Sequence, residues 1–315
     1  MTPDTTSAVS VTGLRKAYGK KTVLDGVDLQ VAAGTVLALL GPNGAGKTTT
    51  VQILSTLIGA DGGEIRVAGH DPAREPDAVR RAIGVTGQFS AVDKLLTGEE
   101  NLRLMADLHH LGAPGRRRAG ELLEQFGLAD VARQRVATYS GGMTRRLDLA
   151  MGLVGRPRLV FLDEPTTGLD PRSRRQMWEV VRELVAGGVT ILLTTQYLEE
   201  ADQLAGRIAV LDGGRIVAEG TPDELKRLVP GGHVTLRFAG ADDLAAARAA
   251  VGGEVSDPDT FALQVPGDGG TRALRALLDR LDAAGVEPAT LQVHTPDLDD
   301  VFLALTATST MENSR

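Results

Sequence analysis

The stretch Gly41-Pro42-Asn43-Gly44-Ala45-Gly46-Lys47-Thr48-Thr49 constrains this chain more than any other part of it. It meets the phosphate-binding pattern G-x-x-x-x-G-K-[ST] at every specified position, through Gly41, Gly46, Lys47 and Thr48. An apolar run, Thr35 to Leu40, leads in as a buried strand, and Thr48 to Leu57 follows as a helix. Glycines let backbone N–H groups converge on phosphate oxygens with no Cβ in the way, and the helix N-terminus adds partial positive charge. Lys47 is then placed to reach the β- and γ-phosphates, and the Thr48 hydroxyl to ligate Mg2+. A plain Gly-rich turn is the alternative, and it leaves Lys47-Thr48 unexplained. The stretch predicts a nucleoside triphosphate site.

The rest of the chain has to supply a sheet around that loop. Hydrophobic residues make up 42% and aromatics only 3%, so the core rests on Leu, Val, Ile and Ala. No uncharged apolar run approaches the roughly 20 residues that span a bilayer. Met1 to Ser10 lacks the basic start and apolar middle of a signal peptide. With no cysteine there is neither a disulfide nor a thiolate metal site, which suits the cytoplasm. His109-His110 point in different directions on a helix, as on a solvated face. The residues from Pro230 on carry 13 acidic and 6 basic side chains, the whole of the net charge of −7. A neutral body with an acidic tail argues against a duplex nucleic-acid partner.

Residues 1–7 read as a disordered leader, followed by a strand at Val9, Val11 and Leu14 and a second run from Val23 to Val31. Tyr18, at the end of the first strand, could stack on a base or simply pack. Beyond the loop helix, Asp61-Gly62-Gly63 is a turn and Glu64 to Val67 a strand. Val79 to Ala82 reads as helix, and Ile83 to Gln88 as a strand ending at a glutamine able to ligate Mg2+ or hold the attacking water. Thr97 to Leu111 reads as a helix with a Thr97/Glu100 capping box, and Gly120 to Phe126 as another. This stretch, about 95–155, looks like a helical insertion in an α/β core.

Two further motifs follow. Tyr139-Ser140-Gly141-Gly142-Met143 opens a helix and offers a second anion-binding N-terminus. Leu159-Val160-Phe161-Leu162-Asp163-Glu164-Pro165 is a buried strand ending in two carboxylates. In a phosphate-loop ATPase such a strand carries the Mg2+-site aspartate, here Asp163. Glu164 can polarise a water for in-line attack on the γ-phosphate. Gly168-Leu169-Asp170 is a turn before a helix from Arg172 to Leu184, and Thr190 to Thr195 is a buried strand ending at Gln196.

With phosphate loop, Gln88, Ser140-Gly141-Gly142 and Asp163-Glu164 in this order, residues 8 to 228 resemble the ATP-binding subunits of ABC transporters. The resemblance implies a phosphate-loop NTPase core of the ABC type with a helical subdomain. It also implies a head-to-tail homodimer in which ATP lies between one phosphate loop and the partner's Ser140-Gly141-Gly142. Tyr18 would stack on adenine, Gln88 would sense a separate transmembrane permease, and Asp170 would communicate across the dimer. ATP with Mg2+ would be hydrolysed at the cytoplasmic face of the membrane to drive that permease. Tyr139 and Met143 stand where the signature usually has Leu and Gln. Gln196 stands where the family usually has histidine; it donates a hydrogen bond but carries no proton, which makes ATP binding a firmer expectation than turnover.

The segment Thr194 to Asp202 is similar to the ATPase subunits of daunorubicin/doxorubicin-resistance exporters, where glutamine takes the histidine's place. Leu298-Asp299-Asp300-Val301-Phe302-Leu303 resembles a motif near their C-termini. That resemblance implies export of hydrophobic drugs of the anthracycline type. The alternatives are a dimerising module gated by ATP with little hydrolysis, or an ATPase serving another substrate, an imported one included. A ribosome- or DNA-directed ABC protein would carry tandem cassettes or a long coiled coil, and the sequence has neither. Residues 230–306 read as a small α+β domain of ferredoxin-like character, accessory or regulatory, with 307–315 as a flexible tail.

Overall fold

Runs of Val, Leu and Ile become buried strands where both faces of a sheet are covered, and this requirement organises the first part of the chain. The computed structural model describes residues 7–87, 91–228, 232–257, 259–267, 270–294 and 296–304. Strands β1 (Ser7–Tyr18) and β2 (Lys21–Ala32) form an antiparallel hairpin, longer than the short runs suggest. Strand β3 (Val36–Leu40), buried at every residue, leads through the phosphate loop into helix α1 (Lys47–Leu54). The helix stops short of Leu57 because Thr56 takes a left-handed φ of 67°. Strand β4 (Gly62–Val67) then joins β1, giving a small sheet of order β2-β1-β4.

Helix α2 (Pro76–Ala82) and strand β5 (Ile83–Thr86) precede the helical insertion. Helix α3 (Gly98–Leu108) starts at the expected capping box, with the Thr97 hydroxyl accepting from the Glu100 amide and the Glu100 carboxylate accepting from the Thr97 amide. Helix α4 (Gly112–Gln125) begins earlier than Gly120, since Pro114 sits in a first turn whose amides have no helical partner. Helix α5 (Gly141–Gly152) follows Ser140.

The chain returns to the main sheet with β6 (Leu159–Asp163), α6 (Pro171–Ala186), β7 (Thr190–Thr195), α7 (Leu198–Leu204), β8 (Arg207–Asp212) and β9 (Arg215–Gly220). The six strands lie in the order β5-β6-β7-β3-β8-β9, parallel except for the β8/β9 hairpin. Leu37, Leu39, Val51, Ile53, Leu54, Phe161 and Leu192 form part of one buried cluster that fixes α1 against the sheet. No helix among the described residues is long and apolar enough to cross a membrane.

Contacts divide the chain into two compact units, the first running to Pro222 and the second from Asp223. The division falls ahead of Pro230-Gly231-Gly232, where turn residues suggest it. Pro222 opens the short helix α8 (Pro222–Lys226) and cannot extend the β9 ladder. In the second unit, β10 (His233–Arg237), α9 (Ala241–Val251), β11 (Glu254–Asp257), β12 (Ala262–Pro266), α10 (Thr271–Ala283) and β13 (Thr290–His294) follow in turn. The antiparallel sheet has the order β11-β12-β10-β13, a ferredoxin-like arrangement. Val234, Leu236, Leu263 and Val265 pack against Leu244, Ala247, Leu277 and Leu281 of the two helices. Residues 298–304 are helical.

Candidate active site

The C-terminal ends of parallel strands carry ligand sites in open α/β sheets, and three such ends meet here. Pairing sets Asp163 of β6 beside Thr194 of β7, and Leu40 of β3 beside Thr195. The Asp163 carboxylate therefore accepts from the Thr194 hydroxyl, and from the Thr48 hydroxyl at 3.2 Å. The Gly41 amide donates to the Thr195 carbonyl at 3.3 Å. Residues far apart in sequence are thus joined by backbone register.

The phosphate loop is shaped by packing as well as by the phosphate it suits. A Cβ on Gly41 would strike the Leu211 carbonyl oxygen. Gly46, at φ 113°, would bring one within 2.6 Å of Leu24. Lys47 is only 4% exposed, and its ammonium donates to the carbonyls of Gly41 at 2.7 Å and Pro42 at 3.1 Å. Its Nζ lies 3.7 Å from Glu164 Oε1. Burial lowers the Lys47 pKa, opposed by the attraction of Glu164 and Asp163.

Glu164 takes a left-handed φ of 48°, a strained setting for a side-chain-bearing residue. Its amide is held by the Thr194 carbonyl at 3.0 Å and hydroxyl at 3.2 Å, and the Thr167 hydroxyl donates to Oε2 at 3.3 Å. The carboxylate is thereby turned toward Lys47. Gln196 is half-buried just past β7, where the Tyr197 amide turns back to the Thr195 hydroxyl. Pro42, Asn43, Gly44, Ala45 and Thr49 lie in or beside the same loop.

Ser140 caps α5 by accepting from the Met143 amide. Gly142 lies against Ser173, whose Oγ would be 2.5 Å from an added Cβ. Asp170 caps α6, accepting from the amides of Arg172 and Ser173 at 3.0 Å and from the Ser173 hydroxyl. The signature turn and the Asp170 turn are therefore neighbours. Among the described residues, no hydrogen bond joins Ser140, Gly141 or Gly142 to Gly41–Thr49 of the same chain. Tyr18, 51% exposed, ends β1 with the Lys16 ammonium 5.6 Å from its ring centre. Gln88 lies outside the described residues.

Sequence reading passed over Glu200 on α7, a fully buried carboxyl whose Oε1 accepts from Trp178 Nε1 at 3.3 Å. Burial pushes its pKa up, against the pull of its hydrogen-bond donors. A carboxyl raised on folding favours the fold below its ordinary range, and that stability drains away as pH rises through the folded value. Glu200→Gln keeps an accepting oxygen and removes the charge. Its melting temperature should exceed the parent's by more at about pH 8 than at about pH 5, read by thermal unfolding at both. Arg145 and Asp148 were also passed over. Their signal was two charges three apart on a helix with a buried apolar face.

The fold and the convergence of Lys47, Thr48, Asp163 and Glu164 define a phosphate-loop nucleotide-binding protein. Residues 24–167 match the family described as ABC transporter. The daunorubicin resistance ATP-binding protein DrrA3 of Streptomyces coeruleorubidus is 54% identical, over 95% of this chain and 96% of its own length. The daunorubicin/doxorubicin resistance ATP-binding protein DrrA of Streptomyces peucetius is 49% identical, over 97% and 94%. Among solved structures, the dimeric post-hydrolysis ATP-binding cassette MJ0796 bound to ADP and Pi superposes with a TM-score of 0.62 at 27% identity, covering 68% of this chain and 98% of that one. The chain belongs to the ABC transporter ATP-binding proteins, a family that hydrolyses ATP.

Proposed function

We propose that this chain is the ATP-hydrolysing subunit of an exporter of hydrophobic drugs of the anthracycline type. It would act as a head-to-tail homodimer on a separate membrane-spanning permease, at the cytoplasmic face. The observation that carries the chemistry is the meeting of Lys47, Thr48, Asp163 and Glu164 at the ends of β3 and β6. The drug class rests on what its relatives resist.

Among the described residues no group of three or more His, Cys, Asp or Glu could hold a metal on its own. The Thr48 hydroxyl and Asp163 carboxylate are nevertheless hard oxygen donors, suited to Mg2+ that is also held by phosphate. Bound there, Mg2+ would supply positive charge to the phosphate oxygens. Lys47 would exchange the Gly41 and Pro42 carbonyls for phosphate oxygens, and the loop amides would hold the rest of the chain of phosphates. Glu164 would take a proton from a water whose oxygen attacks the terminal phosphorus, while the bond from that phosphorus to the bridging oxygen breaks and ADP leaves. Gln196 and Gln88 would orient that water and the terminal phosphate by hydrogen bonds, and Tyr18 would offer its exposed ring to adenine. Ser140, Gly141 and Gly142 would face the partner's nucleotide, next to Asp170.

The test is Mg2+-dependent ATP hydrolysis by the purified chain, with Glu164→Gln as reference. Turnover above that reference supports the ATPase. Tight ATP binding without turnover, even with the permease in lipid, would replace it with a nucleotide-gated clamp. Lys47→Ala should weaken ATP binding by about 10- to 100-fold, since a charge-assisted hydrogen bond contributes about 1.5–3 kcal/mol. Titration with a fluorescent ATP analogue measures it.

A further inference from the structure

Arg145 on α5 uses every donor it has. Its Nε donates to the Pro165 carbonyl at 2.8 Å, and Nη2 to the carbonyls of Asp163 at 3.1 Å and Glu164 at 3.3 Å. Its Nη1 donates to the Gly87 carbonyl at 2.7 Å and to Asp148 Oδ2 at 3.2 Å. The five N–H groups of a guanidinium thus meet five acceptors. Asp148, the other half of the ion pair, accepts from the Ala91 amide at 2.9 Å through Oδ1. The two side chains are 11% and 4% exposed. One pair on the signature helix therefore grips the backbone of the carboxylate turn and the chain at both Gly87 and Ala91, on either side of residues 88–90.

We propose that Arg145, braced by Asp148, is a positioning residue that sets the Glu164 carboxylate by its own backbone and ties that setting to the Gly87 and Ala91 anchors. The proposal rests on the ATPase reading above. Glu164 sits at φ 48°, and such a conformation persists only where its surroundings hold it from several sides. Thr194 holds its amide and Arg145 its carbonyl, so the direction of the side chain is set between them. Any displacement of Gly87 or Ala91 moves the same guanidinium or its brace, and with it the three carbonyls of the carboxylate turn. Lysine in place of Arg145 has three donors in no fixed plane, and cannot span these groups.

The experiment compares the full chain with Arg145→Lys, Asp148→Asn and Asp148→Ala in steady-state ATP hydrolysis, ATP binding, thermal unfolding and amide exchange at Ala91. Arg145→Lys should lower kcat by about tenfold or more, because a misplaced reacting group is costly, while ATP affinity stays within about twofold. Exchange at Ala91 should rise about tenfold in Asp148→Ala and stay near the parent in Asp148→Asn, which keeps the accepting oxygen. Turnover of Arg145→Lys within about twofold of the parent overturns the proposal. So does an equal loss of turnover and ATP affinity with a lowered melting temperature, the mark of a residue that only supports the fold. If the parent itself turns over no faster than Glu164→Gln, the ATPase reading fails instead. Ala91 exchange then decides alone, and no rise in Asp148→Ala overturns the clasp.

Discussion

Replacing Glu164 with glutamine is expected to lower Mg2+-dependent ATP turnover by about 10²- to 10⁴-fold, the range of a lost general base, while ATP stays bound. Glutamine has the shape of glutamate and keeps an oxygen for the Thr167 hydroxyl. The left-handed backbone, fixed by Thr194 and Arg145, has no reason to relax. What is lost is the proton acceptor and the negative charge 3.7 Å from the Lys47 ammonium. Because that charge raises the lysine's pKa against burial, the variant should titrate Lys47 at lower pH than the parent. Side-by-side turnover and binding measurements separate the effects. A loss of only a few-fold would mean that another group accepts the proton.

The second large effect is on stability. Phe161 is fully buried in β6, opposite Val85 of β5 and Leu192 of β7, in one cluster with Ile53 and Leu54 of α1. Phe161→Ala should cost about 3–5 kcal/mol, a transfer term plus a cavity that a close-packed sheet cannot fill. That is a large share of the roughly 5–15 kcal/mol that holds a domain together. The damage should reach the site, since residues two apart in a strand share a face and Asp163 is the next on that side. The Thr48–Asp163 contact spans the same β6–α1 interface. ATP affinity should therefore fall along with stability, whereas Phe161→Leu should cost far less. Urea unfolding followed by Trp178, the single tryptophan, measures the first effect and nucleotide titration the second.

These contrasts show which parts of the molecule a reader of the sequence can reach. The phosphate loop and Asp163-Glu164 were legible because each is a short contiguous run whose chemistry is set by its own residue types. Their meeting, between Thr48 and Asp163, depends on the order of strands in the sheet. The start of α4 was hidden by Pro114 and two glycines, which read as a loop unless the proline is placed in a first turn. The β8/β9 hairpin was passed over although Gly213-Gly214 between two apolar runs is a hairpin pattern, whereas β11 has four residues and none is buried. Arg145 was the least legible. Four of its five partners are main-chain carbonyls, and no side-chain code announces them. Gly142 and Gly41 likewise answer to Ser173 and the Leu211 carbonyl rather than to their own neighbours in sequence.

Strand β7 lies between β3 and β6 in the sheet. Neighbouring strands lie about 4.8 Å apart, so the phosphate loop and the carboxylate turn start from strands about 10 Å apart. Strand β7 is thus a ruler, and its graduation is the peptide hydrogen bond, which no substitution of a side chain can lengthen. Thr194 marks the ruler at the level where Asp163 must stand. The gauge of the reaction chamber is inherited from the sheet, and selection on the loops can tune what enters it without having to rebuild its width.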